Sequence, residues 1–301
     1  MAEAVRISNP DKVLYPATGF TKAQVVEYYD AVAGVLVAHL RGRALTLRRY
    51  PDGVEGESFF EKRCPAHAPA WVPTVEVARS GGPPYRACSV DDPETLRWVA
   101  NLAALELHPS LALAAHPERP TTMVFDLDPG APAGIPQCAE VALALRDLLA
   151  QLELSSCAKT SGSKGMQVYV PLNTPLDFDT TKLLSHTIGM ILEKHLRPLV
   201  VTTMAKQERP GKVFIDWSQN DRAKTTVSVY SLRARPEPIV STPLSWEEVQ
   251  SAVGSDGDVL RFGPAEVVDR VKAHGDLFAD VIELRQRIPK SVSELLAGRM
   301  P

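Results

Sequence analysis

Two short acidic motifs carry most of the chemistry this sequence could do. "VFDLDPG" places Asp126 and Asp128 two residues apart. On a strand, alternate side chains share a face, so both carboxylates point one way while Phe125 and Leu127 point the other. Two acids on one face beside a turn can share a hard divalent cation, which takes oxygen ligands. A solvated strand end would look the same in sequence. A third acid, Asp216 in "VFIDWSQND", sits in an equally apolar strand. A carboxylate there is expensive unless paired or bound to metal. Asp221, five residues on, falls past the strand and reads as a turn residue. Three strand-borne acids can hold two metal ions, the arrangement that clamps the attacking and leaving oxygens of phosphoryl transfer.

Such a site needs cations facing the phosphates. "KTSGSKGMQVYVPL" (159–172) has the glycines, hydroxyls and lysine of a phosphate-binding loop but not their usual order. A P-loop reads G-x-x-x-x-G-K-[ST] and opens a helix. Here Lys164 precedes Gly165, and the alternating "MQVYV" that follows reads as a strand. Ser161, Ser163, Lys164 and the loop's backbone amides could still face an anion. "VYSLRAR" adds Arg233 and Arg235, and "RGRALTLRRY" holds Arg41, Arg43, Arg48 and Arg49 with no acid among them. The parts fit a metal-dependent nucleotidyl transferase.

The elements that must position these groups are legible in outline. Thr21 and Gln24 have capping-box spacing at the head of a helix over about 22–40. "ALTLRRY" and "SFFEK" read as strands with "PDG" turning between them. "TLRWVANLAALEL" reads as a helix. "TTMVFDLD" is a strand, "QCAEVALALRDLLAQL" an amphipathic helix, "MQVYVPL" a strand and "TTKLLSHTIGMILEKHL" a helix. "LVVTTM", "KVFIDWS" and "TTVSVYSL" read as further strands. From Ser245 onward "SWEEVQSAV", "PAEVVDRVKA", "DLFADVIEL" and "SVSELLAG" read as helices. Strands and helices interleave without strict βαβ regularity. The expected class is therefore mixed α/β, with mixed or antiparallel sheets flanked by helices. One domain over 1–301 is expected, its C-terminal part (about 245–301) helical.

Bulk composition narrows the function classes. The 301 residues are 45% hydrophobic and 23% charged, ordinary for a globular protein. No apolar run approaches a membrane span, and "MAEAVRISNP" has no apolar core for a signal peptide, so a cytoplasmic protein without a membrane partner is expected. The net charge of -3 is not that of a protein that coats nucleic acid, although a local basic track is compatible with it. Cysteines 64, 88, 138 and 157 show no paired spacing, and no disulfide framework is expected. "CPAH" offers two zinc ligands, Cys64 and His67, without a second pair.

Taken together, "DLD", "SGSKG", "FIDWSQND" and "YSLR", in that order, resemble the polymerase domain of bacterial DNA ligase D, within the archaeo-eukaryotic primase superfamily. The likeness begins at "SNPDKVLYPATGFTK", runs through "FFEKR" and "ALELHP" and reaches the C-terminal helices. Any one motif would be weak; the combination is specific.

The resemblance implies an archaeo-eukaryotic primase-like fold and a template-directed nucleotidyltransferase. That enzyme would fill gaps and extend ends, with a preference for ribonucleotides, in non-homologous end joining of double-strand breaks. It implies that Asp126, Asp128 and Asp216 bind two catalytic ions, manganese or magnesium. It places Ser161, Lys164, His108 and Arg233 on the incoming nucleoside triphosphate and Gln219 near its sugar. Lys12 and Lys22 would form a pocket for a 5′-phosphate at a gap or a broken end. Phe59 and Phe60 would stack on the template, and Arg49 would join the DNA-binding set. "ARSGGPPYRA" would be a surface loop used when two DNA ends are held together, with Arg209 in a second such loop. Substrates and partners implied are gapped or 3′-overhanging DNA, nucleoside triphosphates, the Ku homodimer and ligase or nuclease modules, with work at the nucleoid during repair.

The residue chemistry is compatible. Lys22 opens a helix whose N-terminus favours anions, and a point-charge lysine suits a terminal phosphate. Alone, either lysine would read as a solvated surface charge, and His108 as a structural histidine. Phe59 and Phe60 are adjacent, so on a strand they face opposite sides, and core packing would account for one of them. One residue departs from the family loop, which often reads S-G-x-K-G-x-H: Gln167 stands at the histidine's place. Glutamine donates a hydrogen bond but carries no positive charge, so weaker nucleotide binding is expected. Two other functions use the same residues: a primase-like enzyme that starts chains without a primer, and a non-catalytic end-binding or synapsis module. A zinc module would favour the first and loss of a triad acid the second; neither feature is visible.

Overall fold

The computed structural model describes residues 5–79, 81–255, 258–289 and 292. The chain opens with β1 (Val13–Tyr15), β2 (Phe20–Thr21), α1 (Lys22–Leu40), β3 (Leu45–Arg49) and β4 (Phe59–Glu61). A hairpin, β5 (Thr74–Arg79) and β6 (Gly82–Cys88), then leads to α2 (Pro93–Asn101) and β7 (Ala104–Pro109). The middle of the chain holds β8 (Thr122–Pro129), α3 (Ile135–Gln151), β9 (Cys157–Thr160), β10 (Met166–Pro171), α4 (Phe178–His195), β11 (Val200–Val201) and β12 (Val213–Asp216). Three short strands follow: β13 (Leu232–Arg233), β14 (Ile239–Val240) and β15 (Pro243–Leu244). Last come α5 (Trp246–Ala252), α6 (Pro264–His274) and α7 (Asp280–Glu283).

These elements form two compact units, each discontinuous in sequence. The chain up to Pro117, with Thr225–Thr242 and Phe262–Asp276, makes the first; Glu118–Lys224, Pro243–Arg261 and the chain from Leu277 on make the second. In the first unit β3 pairs with β7 along its length on one side and with β4 and β6 on the other, while β5 closes the β6 edge. Helix α1 starts where expected. Thr21 Oγ1 accepts the Gln24 amide and Gln24 Oε1 accepts the Thr21 amide, a capping box that stabilises the end by about 1 kcal/mol. Its buried stripe of Val25, Tyr29, Val32, Leu36 and Leu40 follows helical spacing.

The second unit is built on a six-stranded sheet in the order β11-β12-β8-β10-β9-β15, antiparallel except for the β11/β12 pair. Phe125, Leu127, Val168 and Ile215 are fully buried in its core. Helix α4 contributes Gly189 there, where an added Cβ would lie 3.1 Å from Thr202 and 3.7 Å from Ile215. The mixed α/β class expected from sequence is the class observed.

Four local expectations change. Helix α2 stops at Asn101, and "ALELHP" is strand β7, because Ala103 takes a positive φ of 55° and β3 offers a full-length partner. Leucine and alanine favour helix in isolation, and tertiary pairing overrides that preference. "TTVSVYSL" alternates but finds no continuous partner. Thr225 makes only a bridge to Ser110, and Tyr230 at φ 62° breaks the run before the two-residue β13. "DLFADVIEL" supplies a single helical turn, α7. "SVSELLAG" lies, apart from Val292, outside the described residues. Finally, Cys64 and Cys88 are joined by a disulfide, correcting the expectation of none. The Cys64 amide donates to the Arg86 carbonyl of β6, which seats the loop beside that strand. A contact of that kind leaves no trace in cysteine spacing.

Candidate active site

Sheet register brings the three acids together. Asp126 on β8 lies directly opposite Asp216 on β12, and Asp128 follows two residues along β8 on the same face. Opposed residues on paired strands have Cβ atoms about 5 Å apart, so the three carboxylates share one patch. The row continues across the sheet. Gln167 of β10 is opposite Asp126, and the fully buried Lys159 of β9 is opposite Gln167.

The patch stores electrostatic cost. Burial pushes the Asp126 carboxyl up to about 7, and the Asp128 charge adds to the effect. A hydrogen bond from Gln167 and the Lys159 charge oppose it, and Asp216 raises it further. Asp128 is also held up, by desolvation and then by Asp216, with Arg209 opposing. Asp216 directs its oxygens into its own loop: Oδ1 accepts from the Ser218 amide and hydroxyl, and Oδ2 accepts from Gln219 Nε2 at 3.0 Å. Among the described residues no three His, Cys, Asp or Glu side chains already converge as a ready-made ligand set. The donor chemistry nevertheless fits a hard divalent cation. All donors are carboxylate oxygens, and their mutual repulsion is what bound positive charge would relieve.

The loop between β9 and β10 is held against this patch by a close approach that only glycine permits. A Cβ on Gly165 would sit 2.0 Å from the carbonyl oxygen of Leu127, the residue between Asp126 and Asp128. Ser161 Oγ accepts the amides of Ser163 and Gly165, and the Ser161 amide donates to the Gly165 carbonyl, closing the loop. Lys164 projects from it, exposed. Gln167 is buried, and its Oε1 has no hydrogen-bond partner. Arg209 lies with its guanidinium 3.6 Å from the centre of the Phe214 ring, and Phe214 is the β12 residue opposite Asp128. The Arg209 segment is pinned at Gly130, where a Cβ would meet the Arg209 carbonyl oxygen at 2.1 Å.

In the first unit, register lines up a second set. Phe60 is opposite Arg48, Arg48 opposite Glu106, and Thr46 opposite His108, all on one face. Glu106 is buried and accepts from His108 Nε2 at 3.0 Å and from Arg233 Nε at 3.2 Å. Burial alone would raise its pKa. The His108 hydrogen bond, the charges of Arg233 and His108 and the Ala234 amide outweigh that and hold it down to about 2. Burial lowers the His108 pKa in turn, with Glu106 opposing. Phe59 and Phe60 are both exposed, at 45% and 56%, so neither packs in a core. Arg49 lies over the Phe59 ring at 5.3 Å and pairs with Glu61, while Arg48 lies over Phe60 at 5.2 Å.

Lys22 is buried, contrary to a reading as surface charge, and donates to Ser8 Oγ. Burial lowers its pKa, and the charges of Lys12 and Arg49 lower it further, so the three make one electropositive cluster. Lys12 is partly exposed and pairs with Asp52 at 2.7 Å. "ARSGGPPYRA" is not a free loop: its ends are the β5/β6 hairpin, and Ser80 at its tip lies outside the described residues.

Three site-building residues escaped the sequence reading. Glu106 could have been flagged by its spacing from His108, two residues on a strand. Lys159 was masked by its place in an apparent phosphate loop. Asn220 is fully buried and takes the part of a neighbouring strand. It accepts the Val124 amide at 2.8 Å and donates to the Val124 carbonyl at 2.7 Å, locking the loop after Asp216 to β8.

Comparison with known proteins identifies the family of the chain. The family model described as "LigD, primase-polymerase domain" matches residues 21–278. The chain is 43% identical over 280 residues to the multifunctional non-homologous end joining protein LigD of Mycolicibacterium smegmatis, covering 92% of this chain and 36% of that protein. It is 31% identical over 302 residues to the bifunctional non-homologous end joining protein LigD of Bacillus subtilis, covering 96% and 48%. The chain thus spans between about a third and a half of these relatives' length. The solved polymerase domain from Mycobacterium tuberculosis ligase D in complex with DNA superposes with a TM-score of 0.86 at 38% identity, covering 94% of this chain and 99% of that one. The chain belongs to the family of the LigD primase-polymerase domain.

Proposed function

We propose that the chain catalyses template-directed transfer of a nucleotide from a nucleoside triphosphate to a primer 3′-hydroxyl in the repair of broken or gapped DNA. The observation that carries this reading is the carboxylate patch of Asp126, Asp128 and Asp216, closed on one side by the Ser161–Gly165 loop. Asp126, Asp128 and Asp216 would hold the divalent ions. Bound there, such ions supply charge stabilisation to the attacking and leaving oxygens. Ser161 shapes the loop whose Lys164 would meet the triphosphate, and His108 and Arg233 are proposed phosphate ligands in the first unit. Gln219 orients Asp216. The unpaired Oε1 of Gln167 gives a buried acceptor at the place where the family pattern noted from the sequence has a histidine. The residues thus act mainly by placement and fixed charge.

The Lys12, Lys22 and Arg49 cluster would take the 5′-phosphate of a gap, and the exposed rings of Phe59 and Phe60 would stack on template bases, worth roughly 1–3 kcal/mol each. Arg209 and the β5/β6 hairpin would contact DNA ends. Manganese as the ion, a ribonucleotide preference, Ku and ligase or nuclease partners, and work at the nucleoid belong to the same proposal. Among the described residues no helix is long and apolar enough to cross a membrane.

The test is primer extension on a gapped duplex with manganese, comparing ribo- and deoxynucleotides, with and without the 5′-phosphate. Wild type should add the template-matched nucleotide, Asp126→Ala should not, and Lys22→Ala should lose the benefit of the phosphate. No addition by folded wild-type protein that still binds DNA ends would favour a synapsis module instead.

A further inference from the structure

We propose that Glu106 is a positioning residue, whose buried carboxylate fixes the ring of His108 and the guanidinium of Arg233 for triphosphate and ties both to the template platform at Phe60. This rests on the polymerase reading above, which names His108 and Arg233 as phosphate ligands but gives Glu106 no part.

The geometry is specific. Glu106 is 2% exposed, in the middle of β7. Its Oε2 accepts His108 Nε2 at 3.0 Å and lies 3.6 Å from Arg48 Nη1. Its Oε1 accepts Arg233 Nε at 3.2 Å and the Ala234 amide at 3.1 Å. Three positive or ionisable groups from three strands, β3, β7 and β13, therefore converge on one carboxylate. Arg48 also lies over Phe60, and the Phe60 ring meets His108 edge-on at 5.7 Å and 73°. A base stacked on Phe60 and a phosphate on His108 would report to the same buried acid.

The chemistry sets the ring's state. An ionised carboxylate only accepts, so it selects the His108 tautomer with hydrogen on Nε2. Nδ1 then carries a lone pair, which repels phosphate unless it takes a proton. When triphosphate binds, His108 takes that proton from solvent. The imidazolium then donates from Nδ1 to phosphate and from Nε2 to Glu106. The charged groups facing the ring are Glu106 on its own strand, Arg48 on β3 and Arg233 on β13. The two arginines disfavour the proton and Glu106 favours it. Without Glu106, His108 would stay neutral and free to turn.

The experiment compares wild type, Glu106→Gln, His108→Gln and the double variant in gapped-duplex extension between pH 6 and 8, beside 15N NMR of the His108 ring in wild type with and without inorganic tripolyphosphate. Wild type should show the Nε2–H tautomer, gain a proton on Nδ1 when tripolyphosphate is added, and bind nucleotide more weakly as pH rises. Glu106→Gln should raise the nucleotide KM on the order of ten-fold, change kcat much less, and flatten that pH dependence. The double variant should be no worse than His108→Gln alone. An Nδ1–H tautomer in wild type, or a folded Glu106→Gln with wild-type KM and pH profile, would overturn the proposal. Failure of wild type to add any nucleotide would instead sink the polymerase reading, and the ring measurement with tripolyphosphate would still decide the role of Glu106.

Discussion

Asp126→Asn should make the metal-free protein more stable while abolishing nucleotide addition. In the folded chain the Asp126 carboxyl is held at about 7 against the usual 3.8. Below 3.8 the group is protonated whether folded or unfolded and contributes nothing. Between 3.8 and 7 the unfolded chain releases the proton and the folded chain keeps it, so stability falls as pH rises; above 7 the loss is complete. Three pKa steps at 1.36 kcal/mol each give an upper bound of about 4 kcal/mol. Half-burial lets water screen part of it, leaving about 2–4 kcal/mol. At roughly 2 °C per kcal/mol for a chain of this size, the variant should melt roughly 4–8 °C higher at pH 8 in chelator, and near wild type at pH 4. Manganese should reverse the order when it is well above saturation, since an ion that binds only the folded wild type at 1,000 times its Kd adds about 4.1 kcal/mol. The assay is a thermal melt at both pH values, with chelator and with manganese. If the variant melts no higher than wild type at pH 8 in chelator, burial and the neighbouring carboxylates do not hold the Asp126 carboxyl up as argued. If manganese stabilises both equally, it is not bound by this patch.

Gly165→Ala should cost at least about 3 kcal/mol of stability in denaturant titration and remove activity, because the new methyl group would meet the Leu127 carbonyl oxygen at 2.0 Å. Gln167→His should lower the nucleotide KM a few-fold in steady-state extension, by adding a chargeable donor beside Asp126. Cys88→Ser should destabilise the chain by about 3 kcal/mol, from the entropy of opening a loop across 24 residues of sequence separation, read by melting against the oxidised protein.

The carboxylate patch was legible because its signals are local. Period-two spacing put Asp126 and Asp128 on one face, and the apolar context of Asp216 marked it as a carboxylate needing a partner. What joined them was register between β8 and β12, which depends on pairing across 90 residues and has no local signature. The same limit explains β7. Its leucines and alanines favour a helix, and only the presence of β3 makes them a strand. The disulfide and Asn220 are of this kind too, each defined by a contact far along the chain. Glu106 was hidden differently: a glutamate beside leucines suits an exposed helix face, and the reading of that segment as helix removed the reason to ask what a buried acid would hold.

The way the chain is divided bears on how the protein can be made. The polypeptide crosses between its two units after Pro117, Lys224, Thr242, Arg261 and Asp276. Neither unit can be cut out as one continuous segment. On the ribosome, the second unit's β8, β10 and β12 emerge while the first unit still lacks β13, β14 and α6. Glu106 must therefore wait through more than a hundred residues of synthesis for Arg233 to arrive.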